Sequence, residues 1–186
     1  MKIYTRSGDD GTTGLFYGGR VPKDSPAPWA YGTVDEAQAA LGVARALTER
    51  AGELDDILVG LCRDLYVAMA ELATLPENRA KLSAGTTLVT EDMVVALEAL
   101  IDRVTERFAA PTEFVIPGQT MLAAQLDVAR TVVRRAERLA MRAAAADSHV
   151  VAYLNRLSDL CWTLARWAEA EAEAGSLPSR GERSPR

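Results

Sequence analysis

The side chains best suited to chemistry in this sequence recur at helical spacing between Asp127 and Arg142. Asp127, Arg130, Arg134 and Glu137 follow at intervals of three and four, so on a helix they stack into one stripe. Thr131, Arg135, Arg138 and Arg142 form another stripe, facing further away. Two readings fit. In one, an amphipathic helix neutralises its own charges through i,i+4 pairs. In the other, Arg130 and Arg134 address a polyphosphate and Glu137 holds one of them. A second polar set, Asn155, Asp159 and Trp162, runs i, i+4, i+7 within YLNRLSDLCW, where Asn155 is either a solvated helix residue or a ligand contact. A third lies in residues 1–30, where Gly8, Gly11, Gly14, Gly18 and Gly19 alternate with Thr5, Ser7, Thr12 and Thr13. Glycines let successive backbone N–H groups converge on an anion, so this stretch is either a flexible arm or a phosphate cradle. It is not a P-loop: Gly14 to Val21 mimics the glycine spacing, but Arg20 and Val21 stand where Lys and Ser/Thr are required.

Protein-built metal chemistry has little support. The chain has a single histidine, His149, expected in a surface loop, and neither HExxH nor CxxC occurs. We expect no metal-ligating residues. Cys62 and Cys161 fall within apolar helical patterns far apart in sequence and read as buried thiols rather than a disulfide.

The elements that position these residues are helical. After the Pro117-Gly118 breaker, Leu122, Leu126, Ala129, Val133, Ala136 and Ala140 form the apolar face of the arginine-bearing helix. Thr33 and Glu36 form a capping box that predicts an earlier helix beginning at Thr33, with Ala37, Ala40, Leu41, Ala44 and Leu47 inward. Asp35 then falls in the first turn, where the helix dipole favours a carboxylate. A helix over about 54–75 is stopped by Pro76, and 77–89 reads as a polar loop. Thr90 caps a helix ended by Pro111, and a last helix runs from about Val150 to Ala172. From Gly175 the tail GSLPSRGERSPR offers nothing to bury and is expected to be disordered.

The 186 residues are 48% hydrophobic, enough for one domain with a substantial core, over 1–174. Its expected parts are the N-terminal arm, 1–30, and the helix bundle, 33–172. Alanine and leucine dominate, which favours an all-α bundle of five helices. A net charge of −5 argues against broad nucleic-acid binding, so the arginines act locally. No run approaches the roughly 18 apolar residues of a membrane span, and no secretory leader is apparent. A soluble, cytoplasmic protein is expected.

Four separated segments resemble, in the same order, the PduO-type ATP:cob(I)alamin adenosyltransferases. They are IYTRSGDDGTTGL with RVPKD, YGTVDEAQAALG, FVIPGQT with VARTVVRRAER, and YLNRLSD, together spanning residues 3–166. The resemblance implies a five-helix bundle assembled as a homotrimer, with active sites between subunits. The implied reaction transfers the 5′-deoxyadenosyl group of ATP to cob(I)alamin, releasing triphosphate. It also implies Mg2+ held mainly by phosphate oxygens and water, and as further partners a reductase and an adenosylcobalamin-dependent mutase.

Residue by residue, the resemblance places ATP against Thr5, Arg6, Gly8, Asp9, Gly11, Thr12 and Lys23, with Arg134, Glu137 and Asn155 at the nucleotide. Asp35 and Arg130 would pair across a subunit interface on the cobalamin side, and Phe114 would press on the lower face of the corrin. Asp35, Phe114, Arg130 and Arg134 are thus the expected catalytic set. The sequence departs from the family pattern at Gln119, where a second glycine is usual, at Asp127, where histidine is common, and at Gln38, where asparagine is usual. Asp127 is expected to add negative charge to the arginine stripe. Two other functions share these residues: a non-catalytic carrier of cobalamin or nucleotide, and a structural trimer without ligand.

Overall fold

Prolines and glycines set the limits of the elements. A computed structural model describes residues 3–179, and all structural statements refer to these. Their order is β1 (Thr12–Gly14), β2 (Arg20–Pro22), α1 (Pro26–Ala46), α2 (Gly52–Leu72), a 3-10 helix (Pro76–Lys81), α3 (Glu91–Thr105), β3 (Val115–Ile116), α4 (Met121–Ala140), α5 (Val150–Glu171) and β4 (Leu177–Pro178). The chain is predominantly helical, but the all-α expectation is corrected by two small antiparallel sheets, β1–β2 and β3–β4.

The start of α1 is a second correction. Thr33 is no N-cap: it lies inside the helix, 6% exposed, and its hydroxyl donates to the Trp29 carbonyl at 2.8 Å. The helix begins about two turns earlier, because Ser25 is extended and Pro26 occupies the first turn, where a missing N–H costs nothing. The capping-box spacing at Thr33 was therefore coincident with a helix interior. Upstream, β1 and β2 pair Thr13 with Val21 around a turn in which Tyr17, Gly18 and Gly19 have φ of 60°, 97° and 91°. The N-terminal arm thus contains a hairpin and the first turns of a helix.

Helix α4 is central, packing against α1 on one side and α5 on the other; α2 lies on α1 and α3 on α5. Most of the expected apolar periodicity is buried: Ala37, Leu41 and Ala44 of α1; Leu126, Val133 and Ala140 of α4; Leu154, Leu157 and Leu164 of α5. Leu47, expected inward, is instead exposed, because α1 ends at Ala46 and Leu47 caps it. Thr90 caps α3 as expected, accepting from the Met93 N–H at 3.3 Å. Helix α2 ends at Leu72, short of Pro76, and the segment expected to be loop starts with the 3-10 helix. That segment is tied down by Glu71, 2% exposed, which accepts from the Val89 N–H at 2.8 Å and from Arg79 at 3.2 Å. No helix is long and apolar enough to cross a membrane among the described residues.

The tail supplies a third correction. Leu177 and Pro178 pair with Ile116 and Val115, and the Ser176 hydroxyl donates to Glu169 at 2.6 Å. Composition alone missed this because backbone pairing and one hydroxyl hold the segment, with little apolar burial: Leu177 remains 47% exposed. Residues 180–186 of the tail lie outside the described residues.

Candidate functional site

The loop between α3 and α4 forms one wall of the site. Helix α3 ends at Thr105, well before Pro111, where the sequence placed its stop; β3 then extends the chain, Gly118 turns it at φ 115°, and Thr120 caps α4 by accepting from the Ala123 N–H at 3.0 Å. Phe114 at its start is 86% exposed, although phenylalanine is ordinarily buried. It borders a cavity of about 360 Å3 whose other lining includes Pro117, Asp127, Arg130 and Trp162. Two expected residues, Phe114 and Arg130, are thus brought together by the α3–α4 loop, α4 and α5.

Asp127 does not load the arginine stripe with unbalanced charge. Only 5% exposed, it accepts from Arg166 Nη2 at 2.7 Å through Oδ2 and from Arg130 Nε at 3.2 Å through Oδ1. The same Nη2 of Arg166 donates to Glu169 Oε1 at 3.0 Å. Arg166 and Glu169 were absent from the sequence expectations, yet both are buried, at 1% and 0% exposed. The signal was present: an Arg and a Glu three apart interrupt the apolar run LCWTLARWAEA, which on an inward helix face demands that they pair. Buried Nε and Nη1 of Arg166 have no hydrogen-bond partner among the described residues, and its guanidinium carbon lies 5.8 Å from the Trp162 ring centre.

Further along the same helices, Asn155 Nδ2 donates to Glu137 Oε1 at 2.9 Å, and Asn155 Oδ1 accepts from Arg156 at 2.7 Å. Glu137 therefore holds Asn155, where the stripe had suggested it would hold an arginine. Arg134 is exposed, and among the described residues no carboxylate lies within ion-pair distance of it. It is a cation available to an outside anion. Arg135 pairs instead with Glu36 of α1.

The glycine-rich arm folds back on itself. Asp10 Oδ1 accepts from the Thr12 N–H at 2.9 Å and its hydroxyl at 2.8 Å, and Arg20 Nε donates to Thr12 Oγ1 at 3.0 Å. The Thr12 N–H above all, then its hydroxyl and the Arg20 charge, hold the Asp10 carboxyl below its ordinary range. Arg20 also reaches the Ser7 carbonyl. Lys23 approaches Gly8 so closely that an added Cβ there would lie 3.1 Å from Nζ and 3.0 Å from the Thr12 carbonyl oxygen. Gly11, at φ 82°, accepts the Lys23 N–H at 2.9 Å. Gly8, Gly11, Thr12 and Lys23 are thereby gathered into one loop. Thr5, Arg6 and Asp9 lie exposed along the same arm, with Arg6 at φ 62° and its guanidinium carbon 5.6 Å from the Tyr4 ring centre.

Asp35 stands apart. It borders a groove between α1 and α2 with Gln38, Arg45, Cys62 and Tyr66, and does not line the cavity holding Arg130. Gln38 donates to the Cys62 carbonyl at 2.6 Å and so joins α1 to α2. Both cysteines are free thiols; burial pushes Cys62 up and Cys161 up to about 12.

Comparison with known proteins decides what this arrangement belongs to. A family described as cobalamin adenosyltransferase matches residues 3–168. The chain belongs to that family. It is 43% identical over 171 residues to a corrinoid adenosyltransferase of Citrobacter freundii, spanning 90% of this chain and 95% of that one. It is 41% identical over 180 residues to a corrinoid adenosyltransferase of Mycobacterium tuberculosis, spanning 92% and 91%. A solved structure of a phenylalanine-to-histidine variant of the PduO-type ATP:corrinoid adenosyltransferase from Lactobacillus reuteri, complexed with cobalamin and ATP, superposes with a TM-score of 0.85 at 32% identity, covering 98% of both chains. An arginine-to-lysine variant of that enzyme complexed with ATP gives 0.83 at 32% identity, over 96% of this chain and all of that one.

Within the family frame, the departures have local explanations at two positions. Gln38 serves as a tie between helices, and Asp127 is the acid that a buried arginine requires. Gln119 is half-buried beside Gly118, and nothing in the structure explains it.

Proposed function

We propose that this chain is an ATP:cob(I)alamin adenosyltransferase, moving the 5′-deoxyadenosyl group of ATP to reduced cobalamin and releasing inorganic triphosphate. The observation that carries the reading is the cavity where exposed Phe114 faces Arg130, in a chain of the cobalamin adenosyltransferase family. The cobalt nucleophile attacks C5′ of the ribose; the C5′–O bond breaks and its electron pair leaves on the triphosphate. No proton need move, so the reaction requires no general base.

The chain's contribution is placement and charge. Arg6, Lys23 and Arg134 stabilise the charge that grows on the departing triphosphate, with Gly8, Gly11 and Thr12 lining the same loop. Thr5 and Asp9 complete the phosphate loop, while Asn155, fixed by Glu137, contacts the nucleoside. Phe114 is the apolar face presented to the corrin, excluding a lower axial ligand so that Co(II) is more easily reduced. Arg130 shapes the cobalamin side. Its second partner is Asp35 from a neighbouring subunit, which requires an assembly; a homotrimer of five-helix bundles with sites between subunits supplies it. The position of Asp35 supports this, since within one chain it lines a different cavity from Arg130.

Mg2+ enters as the MgATP complex. Among the described residues no three His, Cys, Asp or Glu side chains come together as a metal cage, and the ion would be held mainly by phosphate oxygens and water. Cytoplasmic location, a reductase that delivers the electron to Co(II), and a mutase that receives the product complete the proposal.

The test is anaerobic incubation of the protein with chemically reduced cobalamin and MgATP. Enzyme-dependent appearance of a light-sensitive adenosylcobalamin spectrum supports the reading. Tight binding of both ligands without product would make the protein a carrier.

A further inference from the structure

Phe114 is held by very little of its own. Its ring is 86% exposed, and β3, which follows it directly, is only two residues long. A two-stranded ladder of that length has little stability by itself. The loop nonetheless has a defined partner: Val115 pairs with Pro178, Ile116 with Leu177, and the Ser179 N–H donates to the Phe114 carbonyl at 2.6 Å. Among the described residues, the side-chain hydrogen bond that anchors this partner strand is Ser176 Oγ donating to Glu169 Oε2 at 2.6 Å.

Glu169 is completely buried, and its other oxygen accepts from Arg166 Nη2 at 3.0 Å. Arg166 holds Asp127, and Asp127 holds Arg130. A continuous chain of hydrogen bonds therefore runs from Arg130 through the interior to Ser176, and three residues later the backbone returns to Phe114. Both walls of the cavity are referenced to the same buried guanidinium. A hydrogen bond to a buried carboxylate is among the stronger neutral-to-charged contacts, and low local dielectric strengthens it further.

We infer that Ser176 and Ser179 are positioning residues: the segment Ser176–Ser179 straps the Phe114 loop to the Glu169–Arg166–Asp127 core and sets where the Phe114 ring stands relative to Arg130. This rests on the adenosyltransferase reading of Phe114. The contacts of the strap are with Phe114, Val115, Ile116 and Glu169. It acts only through Phe114, so its loss reproduces the selective defect of losing that ring and spares nucleotide binding.

The experiment compares turnover from cob(II)alamin, with a reduced flavin as one-electron donor, against turnover from chemically prereduced cob(I)alamin. Four variants are measured beside the full-length protein: Ser176→Ala, Ser176→Thr, Ser179→Pro (which deletes the N–H donated to Phe114) and Phe114→Ala. The strap predicts that Ser176→Ala and Ser179→Pro each lose about tenfold from Co(II), equivalent to ~1.4 kcal/mol of barrier. KM for ATP and the rate from Co(I) should stay within about twofold, and Ser176→Thr, which keeps the hydroxyl, should recover the rate. Equal losses from both cobalt states, or no loss, in the two serine variants overturn the inference. If Phe114→Ala shows the selective loss and the serine variants do not, the strap fails while the reading of Phe114 stands. If Phe114→Ala itself shows no selective loss, the reading and the strap fall together.

Discussion

Asp127 and Arg166 meet at 2.7 Å with their side chains 7% and 0% exposed, an ion pair sealed between α4 and α5. Removing Asp127 leaves a buried guanidinium with one carboxylate partner fewer, and the cost of breaking a buried pair exceeds the pair's own net worth. Asp127→Ala should therefore cost about 3–5 kcal/mol of unfolding free energy, read from urea denaturation. A loss under about 1 kcal/mol would mean that Glu169 alone satisfies Arg166.

Phe114 predicts the opposite balance. With its ring in solvent, Phe114→Ala should change stability by no more than about 0.5 kcal/mol. It should keep ATP affinity and lose at least about tenfold of turnover from Co(II). Thermal melts, nucleotide titration and the two-state cobalt assay separate these effects, and an equal loss of binding and turnover would remove the role assigned to the ring.

Arg134 lacks an ion-pair partner among the described residues, so its charge is available to triphosphate. A hydrogen-bonded contact between charged groups contributes about 1.5–3 kcal/mol, so Arg134→Ala should weaken ATP binding roughly 10- to 100-fold with little change in melting temperature. Calorimetric titration that returned an unchanged Kd would place the phosphates elsewhere.

Much of this was legible because it is periodic. The apolar faces of α1, α4 and α5 follow from spacing alone, and Thr90 caps α3 through the side chain its sequence position offers. The start of α1 was not legible, since Thr33 and Glu36 satisfy a capping pattern while Pro26 satisfies a helix start equally well. Which wins depends on whether the upstream turns can bury apolar surface of their own, and Ala30 is fully buried. The strand Leu177–Pro178 was hidden for another reason: its partner lies some sixty residues away, and pairing is non-local. At the site, the order of charges on α4 was visible, but their partners were not. Asp127 was expected to burden Arg130 and Arg134, and the burial that makes it a ligand for Arg166 is a property of packing.

Asp35 and Arg130 border different cavities within one chain. If the assembly brings them together, inactive Asp35→Ala and Arg130→Ala proteins should regain partial activity when mixed and allowed to exchange subunits. Native mass spectrometry verifies exchange. Verified mixed assemblies with no recovery would contradict a pair across subunits.

Cys161 is buried, and its thiol is pushed up to about 12, so almost none is thiolate at pH 8. Iodoacetamide should leave Cys161 unmodified in the native protein and alkylate it in urea, as peptide masses will report. Because the folded value lies above the unfolded one, the unfolded chain releases its proton first. Stability should fall as pH rises from about 9 toward 12. Tyr153, raised well above its ordinary value by burial and then by Asp64, pushes in the same direction. Cys161→Ala should flatten part of that slope.

The most direct test of the central claim is the product balance of a single anaerobic turnover with excess enzyme, prereduced cobalamin and MgATP. Attack at C5′ predicts one inorganic triphosphate for each adenosylcobalamin formed, resolved by ion-exchange chromatography. Pyrophosphate or orthophosphate as the primary product, or bound ATP and cobalamin that persist unchanged, would contradict the account.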